Sequence, residues 1–355
     1  MKKVLLVSLF VLFLAACGGN EAASNGFAEG PLAGTEIHVF NWGEYINPAV
    51  LTMFEEEYGI NVLYSTFQSN EAMHTMVTSG GNVYDVLFPS DYMIYRMIHE
   101  GLLRPINFDN VPNIVNIDEQ FMGLDFDPQN IYSAPYKWGS VGILYNTTMV
   151  TGPIYSWASM FDPTYAGQIF MYNSERDAFA VAFKKLGVSL NTTDYEIIAQ
   201  ARDLLIEQRP LVLSYVTDEV MSLMIAGEGA MALVYSGDAV WSIYYNPDLN
   251  YVIPIEGSNL WVDSMVIPHN ANNPEGAEAF INFMLRPDIA AMNTNFVGYT
   301  TANRVAIEDG LAYRFAHIPG FGITPEEYAR LEVFVDLGEY RDLLSTAFTT
   351  VLASQ

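Results

Sequence analysis

Basic residues are scarce in this sequence of 355 residues, which has 15 lysines and arginines against 41 aspartates and glutamates. The formal net charge is −26 at pH 7. We expect no nucleic-acid partner, because phosphate groups are bound mainly by lysine and arginine. Acidity usually serves solubility, but an excess of carboxylates also raises the local concentration of cationic solutes.

Cysteine is nearly absent, since Cys17 is the only one in the sequence, and a framework of disulfide bonds is therefore excluded. Two lysines precede an apolar run at 4–14, which is shorter than the roughly 17 to 25 residues of a membrane-spanning helix. This pattern is typical of a secretory signal peptide. The run ends in Leu-Ala-Ala-Cys, which resembles a bacterial lipobox. The resemblance implies a signal peptide at 1–16, a lipid on Cys17, a flexible tether at 17–33 and an extracytoplasmic or periplasmic, membrane-anchored lipoprotein.

Recognisable catalytic motifs are also missing. The sequence has no G-x-S-x-G elbow, no H-E-x-x-H pair and no G-x-x-x-x-G-K-[ST] phosphate loop. Its five histidines are not spaced as metal ligands, and DFDPQN at 125–130 lacks the glycine and the final glutamate of a calcium loop. We therefore expect a protein without enzymatic activity, metal or cofactor. A secreted hydrolase that uses two carboxylates on a sugar remains the alternative of another class.

Short apolar runs alternate with amphipathic ones from about residue 35 onward. This alternation favours an α/β architecture, and the length of the chain favours two domains. Asn47 and Pro48 are suited to begin a helix and Gly59 to end it. The predicted strands lie at 36–40, 60–67, 84–88, 167–172, 230–235 and 261–268, and further predicted helices lie at 70–79, 195–208 and 274–286.

Aromatic and acidic side chains recur where the predicted strands end. Ligands of open α/β sheets bind beyond the carboxyl ends of the strands, so we expect these side chains to meet in a cleft. Trp261 and Asp263 lie instead at the start of a predicted strand, where a segment crossing between domains would bring them to the same cleft. Aromatic rings and carboxylates both attract positive charge, and the pattern therefore predicts a cage for a cationic solute. Its other members are Trp42, Glu44, Tyr45, Ser90, Asp91, Tyr92, Asp177, Tyr235 and Asp238.

Longer motifs resemble a known family, the substrate-binding proteins of bacterial spermidine/putrescine ABC transporters. They include NWGEYINP, YDVLFPSDY, YSAPYKWGSVGILYN, WVDSMVIP and AEAFINFMLRPDIA, and the resemblance extends from about residue 35 to at least 305. It implies a class II periplasmic-binding-protein fold, in which crossing strands join two α/β lobes and a polyamine lies in the cleft between them. One lobe would contain residues 34–138 and 262–307, and the other 139–261 and 308–355. The implied function is delivery of putrescine or spermidine to an ABC transporter permease.

The resemblance also assigns ligand contacts residue by residue. Tyr235 stands where the family usually has tryptophan, and Gly43 replaces a threonine or serine, which removes one hydroxyl group. The C-terminal 50 residues match less clearly, and no contact is carried over from them. The implied contacts are Trp42, Glu44, Tyr45, Ser90, Tyr92, Asp177, Tyr235, Trp261 and Asp263.

Two departures from the spermidine-binding pattern bear on the choice of polyamine. Ser174 stands where spermidine binders carry a further acid, and Asp238 matches an acid of putrescine-selective members. Putrescine spans roughly 6 Å between its nitrogens and spermidine roughly 11 Å, so we expect putrescine to bind at least as tightly as spermidine. The alternative role for Asp238 is a helix N-cap, which aspartate often fills. Binding of another solute, such as an oligosaccharide or a cationic amino acid, also remains open.

Overall fold

The structure is a computed structural model that describes residues 30–81 and 83–354. The predicted signal peptide, Cys17 and the first part of the tether lie outside these residues. Eleven strands are present in the described part of the chain: β1 (Glu36–Trp42), β2 (Asn61–Phe67), β3 (Val86–Leu87), β4 (Ser133–Asn146), β5 (Ile169–Tyr172), β6 (Val212–Val216), β7 (Met231–Tyr235), β8 (Leu249–Val252), β9 (Ser258–Val266), β10 (Thr300–Thr301) and β11 (Leu331–Val333).

The same residues form twelve α-helices: α1 (Pro48–Tyr58), α2 (Asn70–Thr78), α3 (Asp91–His99), α4 (Glu175–Lys185), α5 (Tyr195–Gln208), α6 (Glu219–Ile225), α7 (Ser236–Tyr245), α8 (Pro274–Met284), α9 (Pro287–Val297), α10 (Arg304–Glu308), α11 (Pro325–Tyr328) and α12 (Arg341–Ala353). Short 3₁₀ helices lie at Phe108–Asn110, Pro112–Asn116, Glu119–Phe121, Trp157–Phe161, Pro163–Tyr165, Arg209–Leu211 and Gly338–Tyr340. No described helix combines the length and the apolar character that crossing a membrane requires.

Two long strands, β4 and β9, connect the two halves of the molecule. The order of strands is β2-β1-β3-β9-β4-β7-β5-β6, with β8 and β10 paired to β4 and β11 paired to β9. The first part of β4, from Ser133 to Ser140, pairs antiparallel with β9, whereas the remainder pairs with β7 and β8. We call the group that contains β1, β2, β3 and β10 the first lobe, and the group that contains β5, β6, β7 and β8 the second lobe.

The predicted lobe boundaries fall on the two crossing strands. Trp138 pairs with Val262, and Gly139 pairs with Trp261. The boundary at 138/139 in β4 therefore lies directly opposite the boundary at 261/262 in β9. Their positions stay a prediction.

The parallel strands of each lobe bring their carboxyl ends to one edge. In the first lobe β1 is parallel to β2 and β3, and in the second lobe β5 is parallel to β6 and β7. The segments that follow β1, β3, β5 and β7 carry most of the predicted ligand contacts. Ligands of α/β sheets bind at these ends, so the fold brings these residues to an edge where a ligand can bind. That they contact a ligand stays a prediction.

Helix α1 begins and ends where the sequence predicts. The side chain of Asn47 accepts a hydrogen bond from the backbone N–H of Ala49 at 3.0 Å, and Pro48 is the first helical residue. Gly59 ends the helix with a φ of 66°, in the left-handed region that glycine adopts at little cost. Phe54 faces the core. Local chemistry therefore accounts for this element.

Two strands, β3 and β9, differ most from their predicted bounds. The strand predicted at 84–88 is reduced to β3, which stops just before Phe88 and Pro89, and proline has no N–H for a sheet. The prediction that Trp261 and Asp263 lie at the start of a strand is wrong, because β9 already begins at Ser258. Its first residues pair with β11 from much later in the chain, and a local sequence pattern does not reveal this contact.

We predict that Phe54→Ala lowers the free energy of unfolding by about 3–5 kcal/mol, because it leaves a cavity in a packed core. Phe54 is fully buried, and its ring centre lies 5.1 Å from that of Phe280 and 5.5 Å from that of Phe283. Urea denaturation measures the change. Val115→Ala is the control, since that side chain is 75% exposed. A loss of less than about 1 kcal/mol for Phe54→Ala would contradict this packing.

Candidate functional site

Asp91 connects the first lobe to the crossing strand β9 by a hydrogen bond. Its carboxylate accepts hydrogen bonds from the backbone N–H of Tyr92 at 2.7 Å and from that of Val262 at 3.1 Å. Burial raises the pKa of Asp91 to about 7, although these two hydrogen bonds lower it. Val262 lies between Trp261 and Asp263, so Asp91 holds the backbone that carries these two side chains.

Asp263 lies in the middle of β9 and is buried. Its Oδ2 accepts a hydrogen bond from the hydroxyl of Tyr45 at 2.8 Å, and Asp263 forms an isolated β-bridge with Ser90. Its Oδ1 is buried and has no hydrogen-bond partner within the described residues. Burial raises the pKa of Asp263 from 3.8 to about 6, because the ionised form is poorly solvated there.

Asp177 lies in the first turn of α4, in the second lobe. Its Oδ2 accepts hydrogen bonds from the hydroxyl groups of Ser174 at 2.6 Å and Tyr235 at 2.8 Å. Ser174 is also the N-cap of α4. Burial raises the pKa of Asp177, and its Oδ1 has no partner among the described residues. Asp177 and Asp263 thus each bring one free, buried carboxylate oxygen to the site.

Asp238 is the third residue of α7, and its carboxylate lies between two tyrosines. Oδ2 accepts a hydrogen bond from the hydroxyl of Tyr172 at 2.9 Å, and Oδ1 accepts one from Tyr299 at 2.7 Å. Burial raises the pKa of Asp238 to about 6. The alternative role of Asp238 as an N-cap is wrong, because Tyr235 occupies the N-cap position.

Tyr172 and Tyr299 are site residues that the sequence analysis missed. Tyr172 ends β5, so the strand-end rule that selected its neighbours could have found it. Tyr299 has no such signal, because it does not lie at the end of a predicted strand. It follows Gly298, which ends α9 in the left-handed region. Its carbonyl accepts a hydrogen bond of 3.4 Å from Nζ of Lys137, a fully buried side chain in β4 whose pKa burial lowers to about 7. The crossing strand therefore helps to position Tyr299.

Aromatic rings form a continuous wall around the three carboxylates of Asp177, Asp238 and Asp263. The ring centres follow one another at 5.6 Å, 5.3 Å, 6.2 Å and 4.7 Å. Edge-to-face and tilted contacts of this kind stabilise a fixed arrangement of rings. In order, the rings belong to Tyr45, Tyr299, Trp261, Tyr235 and Tyr172.

Three predicted contacts stand apart from this cluster. Trp42 packs on Phe67 with ring centres 4.6 Å apart and donates from Nε1 to the carbonyl of Phe88. Glu44 is exposed and has a φ of 51°, and no hydrogen bond within the described residues joins it to the three carboxylates. The hydroxyl of Tyr92 donates to Glu71 at 3.0 Å. Of the three, only Tyr92 is linked to Ser90, because Asn70 donates to both hydroxyl oxygens.

The chemistry of the cluster is suited to an organic cation. Within residues 30–81 and 83–354, no three His, Cys, Asp or Glu side chains are placed to hold a metal. In DFDPQN at 125–130, Asp127 accepts hydrogen bonds from the backbone N–H groups of Ile131, Tyr132 and Ser133. Buried carboxylates among aromatic rings instead match an organic cation, whose charge and apolar surface both need partners.

Two α/β groups joined by crossing strands, with this cluster between them, define a two-lobe solute-binding protein. Residues 49–313 match the family described as "Bacterial extracellular solute-binding protein". The chain is 37% identical over 272 residues to the spermidine/putrescine-binding periplasmic protein of Salmonella typhimurium, which covers 76% of this chain and 78% of that protein. The chain therefore belongs to the family of bacterial extracellular solute-binding proteins.

Solved structures are similar over nearly the whole chain. A putative spermidine/putrescine ABC transporter protein from Listeria monocytogenes has a TM-score of 0.84 and 40% identity, and the match covers 90% of this chain and 100% of that one. The spermidine/putrescine ABC transporter substrate-binding protein of Streptococcus pneumoniae has a TM-score of 0.78 and 37% identity, with 90% and 98% covered. The class II periplasmic-binding-protein fold predicted from the sequence is confirmed.

We predict that Asp263→Asn makes the ligand-free protein relatively more stable as the pH rises. The folded pKa of Asp263 is raised from 3.8 to about 6, so its contribution to stability is complete below pH 4 and is lost as the pH rises through 6. Asparagine does not titrate. The free energy of unfolding of the variant, relative to the parent, should therefore rise between pH 4 and pH 7, by on the order of 2 kcal/mol.

Denaturation by guanidinium chloride at several pH values measures this difference. Asp203→Asn is the matched control, because Asp203 is exposed and pairs with Arg202 on the surface. Its free energy of unfolding should stay close to that of the parent. A loss of more than about 2 kcal/mol for Asp263→Asn at neutral pH would identify Asp263 as a structural acid instead.

Proposed function

We propose that this chain is the polyamine-binding component of an ABC importer, that it binds putrescine or spermidine outside the cytoplasm and delivers it to a permease, and that it catalyses no reaction. One observation carries the proposal. The carboxylates of Asp177, Asp238 and Asp263 lie within a wall of aromatic rings. Those of Asp177 and Asp263 are buried, and each has one oxygen without a hydrogen-bond partner among the described residues. The names of the similar proteins support the choice of ligand.

The chemistry of polyamines fits this cluster. A polyamine is a flexible chain of methylene groups that carries ammonium groups, so it needs apolar walls and carboxylates at separate points. A buried carboxylate is poorly solvated, and an ammonium partner compensates that cost. A cation over an aromatic face adds about 0.5–2 kcal/mol. The free oxygens of Asp177 and Asp263 are the natural acceptors for ammonium N–H donors.

Binding between two lobes also favours closure. Asp238 is in α7 of the second lobe, while Tyr299, which hydrogen-bonds it, precedes β10 of the first lobe. A ligand that contacts both lobes stabilises the closed state by the contacts that only this state offers. We place Trp42, Glu44 and Tyr92 at the rim of this cleft, as further contacts. We also propose the lobe boundaries given above and a lipid anchor at Cys17.

We predict that putrescine and spermidine raise the melting temperature of the purified protein at micromolar concentration, because only the folded state binds them. A thermal-shift panel with putrescine, spermidine, lysine and maltose tests this. Stabilisation by maltose alone would favour the carbohydrate alternative, and stabilisation by lysine alone would favour a cationic amino acid. Either result would contradict the proposal that the ligand is a polyamine.

The site itself is tested in the same assay. Asp263→Asn should weaken polyamine binding by more than about tenfold, because an ammonium group loses its ionised partner. Trp261→Ala should also lose binding, although it removes core volume as well. Asp203→Asn makes the same change of charge on the surface and should bind like the parent.

We further predict that putrescine binds at least as tightly as spermidine and that Asp238→Ala weakens putrescine by more than about tenfold. Asp238 gives the site an acid in α7, and Ser174, which hydrogen-bonds Asp177 at 2.6 Å, brings no charge. Titration calorimetry of both polyamines on the parent and on Asp238→Ala checks this. Clearly tighter binding of spermidine by the parent, or an Asp238→Ala variant unchanged toward putrescine, would be the contrary result.

A further inference from the structure

The chain passes from the first lobe to the second once more between Ala312 and Phe315. Ala312 is buried in a small apolar cluster with three alanines of α9 and α10. Three residues later, Phe315 is buried in a different cluster, which includes Val240 of α7. Helix α9 leads into β10 of the first lobe, whereas α7 follows β7 of the second. We call residues 311–315 the third crossing segment, since they join the lobes in addition to β4 and β9.

Asn295 fixes the third crossing segment to the first lobe. It lies in the last turn of α9, where backbone carbonyls have no partner within the helix. Its Oδ1 accepts a hydrogen bond from the backbone N–H of Arg314 at 3.0 Å, and its Nδ2 donates to the carbonyl of Leu311 at 2.9 Å. Its carbonyl accepts a further hydrogen bond from Nη1 of Arg314 at 3.1 Å. A cation at this end of a helix is also favoured by the helix dipole.

The guanidinium of Arg314 also contacts aromatic rings of the second lobe. Its central carbon lies 4.8 Å from the ring centre of Trp241 and 5.2 Å from that of Tyr244, which are both in α7. It also lies 4.8 Å from the ring centre of Phe315. Aromatic faces attract a guanidinium, and in the described part of the chain no carboxylate lies at salt-bridge distance from Arg314. A single side chain therefore contacts α9 of the first lobe and α7 of the second.

Trp241 connects this contact to the candidate site. It lies three residues after Asp238 in α7, so the two side chains share one face of the helix. A Cβ atom on Gly298 would lie only 2.7 Å from Cδ1 of Trp241, which shows that the indole packs directly on the end of α9. The next residue, Tyr299, donates to Asp238. One face of α7 thus contacts two consecutive residues of the first lobe.

We propose that Arg314 is a positioning residue, which holds α7 against the end of α9 and so stabilises the arrangement of the lobes in which Asp238 meets Tyr299. The inference rests on the proposed function, because it concerns the affinity for a ligand that binds between the lobes. Arg314 acts through Trp241 and not on the ligand. Loss of its side chain removes contacts of the arrangement that binds the ligand, so the ligand dissociates faster.

The first test measures the affinity of Arg314→Gln. Titration calorimetry and stopped-flow fluorescence give the dissociation constants and dissociation rates of putrescine and spermidine. Both dissociation constants should rise by at least about fivefold, mainly through faster dissociation, and the two factors should agree within about twofold. The stoichiometry should stay that of the parent. Unchanged dissociation constants would overturn the inference.

Two further variants keep the comparison specific. Arg202→Gln removes an arginine that pairs with the exposed Asp203 on α5, and this control should bind like the parent. Arg314→Lys keeps a cation over the aromatic rings and should bind within about threefold of the parent. Binding by Arg314→Lys as weak as that by Arg314→Gln would contradict the role of the cation.

A double variant separates action through Trp241 from general damage to the fold. If Arg314 acts through Trp241, adding Arg314→Gln to Trp241→Leu should weaken binding by less than about twofold beyond Trp241→Leu alone. Titration calorimetry with putrescine measures both proteins. Factors that simply multiply would show that Arg314 has a merely structural role, independent of Trp241, and would overturn the inference.

The parent protein decides the question even if a variant fails to fold. The backbone N–H of Arg314 donates to Asn295, so its hydrogen exchange reports directly on this contact. Putrescine should slow exchange in residues 311–315 by at least about threefold, although the predicted ligand contacts lie elsewhere. Protection confined to the candidate site would overturn the inference and leave the proposed function standing. Absence of binding to any polyamine would overturn the proposed function itself, and this inference with it.

Discussion

The burial of carboxylates in a chain with few cations is the constraint on which the site depends. Asp177 and Asp263 are buried and Asp238 is half-buried, and the loss of solvation raises the pKa of each. Hydroxyl donors offset part of this cost, because every one of the three accepts a hydrogen bond from a tyrosine. A tyrosine contributes a donor without a charge, so the carboxylates stay available to a cation that comes from outside.

The rest of the molecule keeps these groups in register. Asp91 accepts a hydrogen bond from the backbone N–H of Val262, which lies in β9 between Trp261 and Asp263. Lys137 of β4 donates a hydrogen bond to the carbonyl of Tyr299. Both supports act through the crossing strands, which belong to neither lobe alone. The aromatic wall then connects side chains from both halves. Rigid support of this kind limits the conformational freedom that a ligand must remove when it binds.

Local chemistry explains which features could be predicted from the sequence. The start and end of α1 depend on Asn47, Pro48 and Gly59, which are adjacent to the helix, and the strand-end rule selected Asp177 and Asp238. The role of Tyr299 could not be predicted, because its hydrogen bond to Asp238 joins residues that are 61 positions apart in the sequence. The early start of β9 depends on pairing with β11. Such contacts arise from tertiary packing, and a single sequence carries no local pattern for them.

The path of the chain through β9 also affects how the protein folds. The first lobe needs β9, since β3 pairs with it, yet β9 is made long after β1, β2 and β3. A sheet closed by so distant a strand has a high contact order and forms slowly. Until β9 arrives, the early strands keep an unpaired edge, and such edges are prone to aggregation. Export before folding would separate synthesis from this slow step.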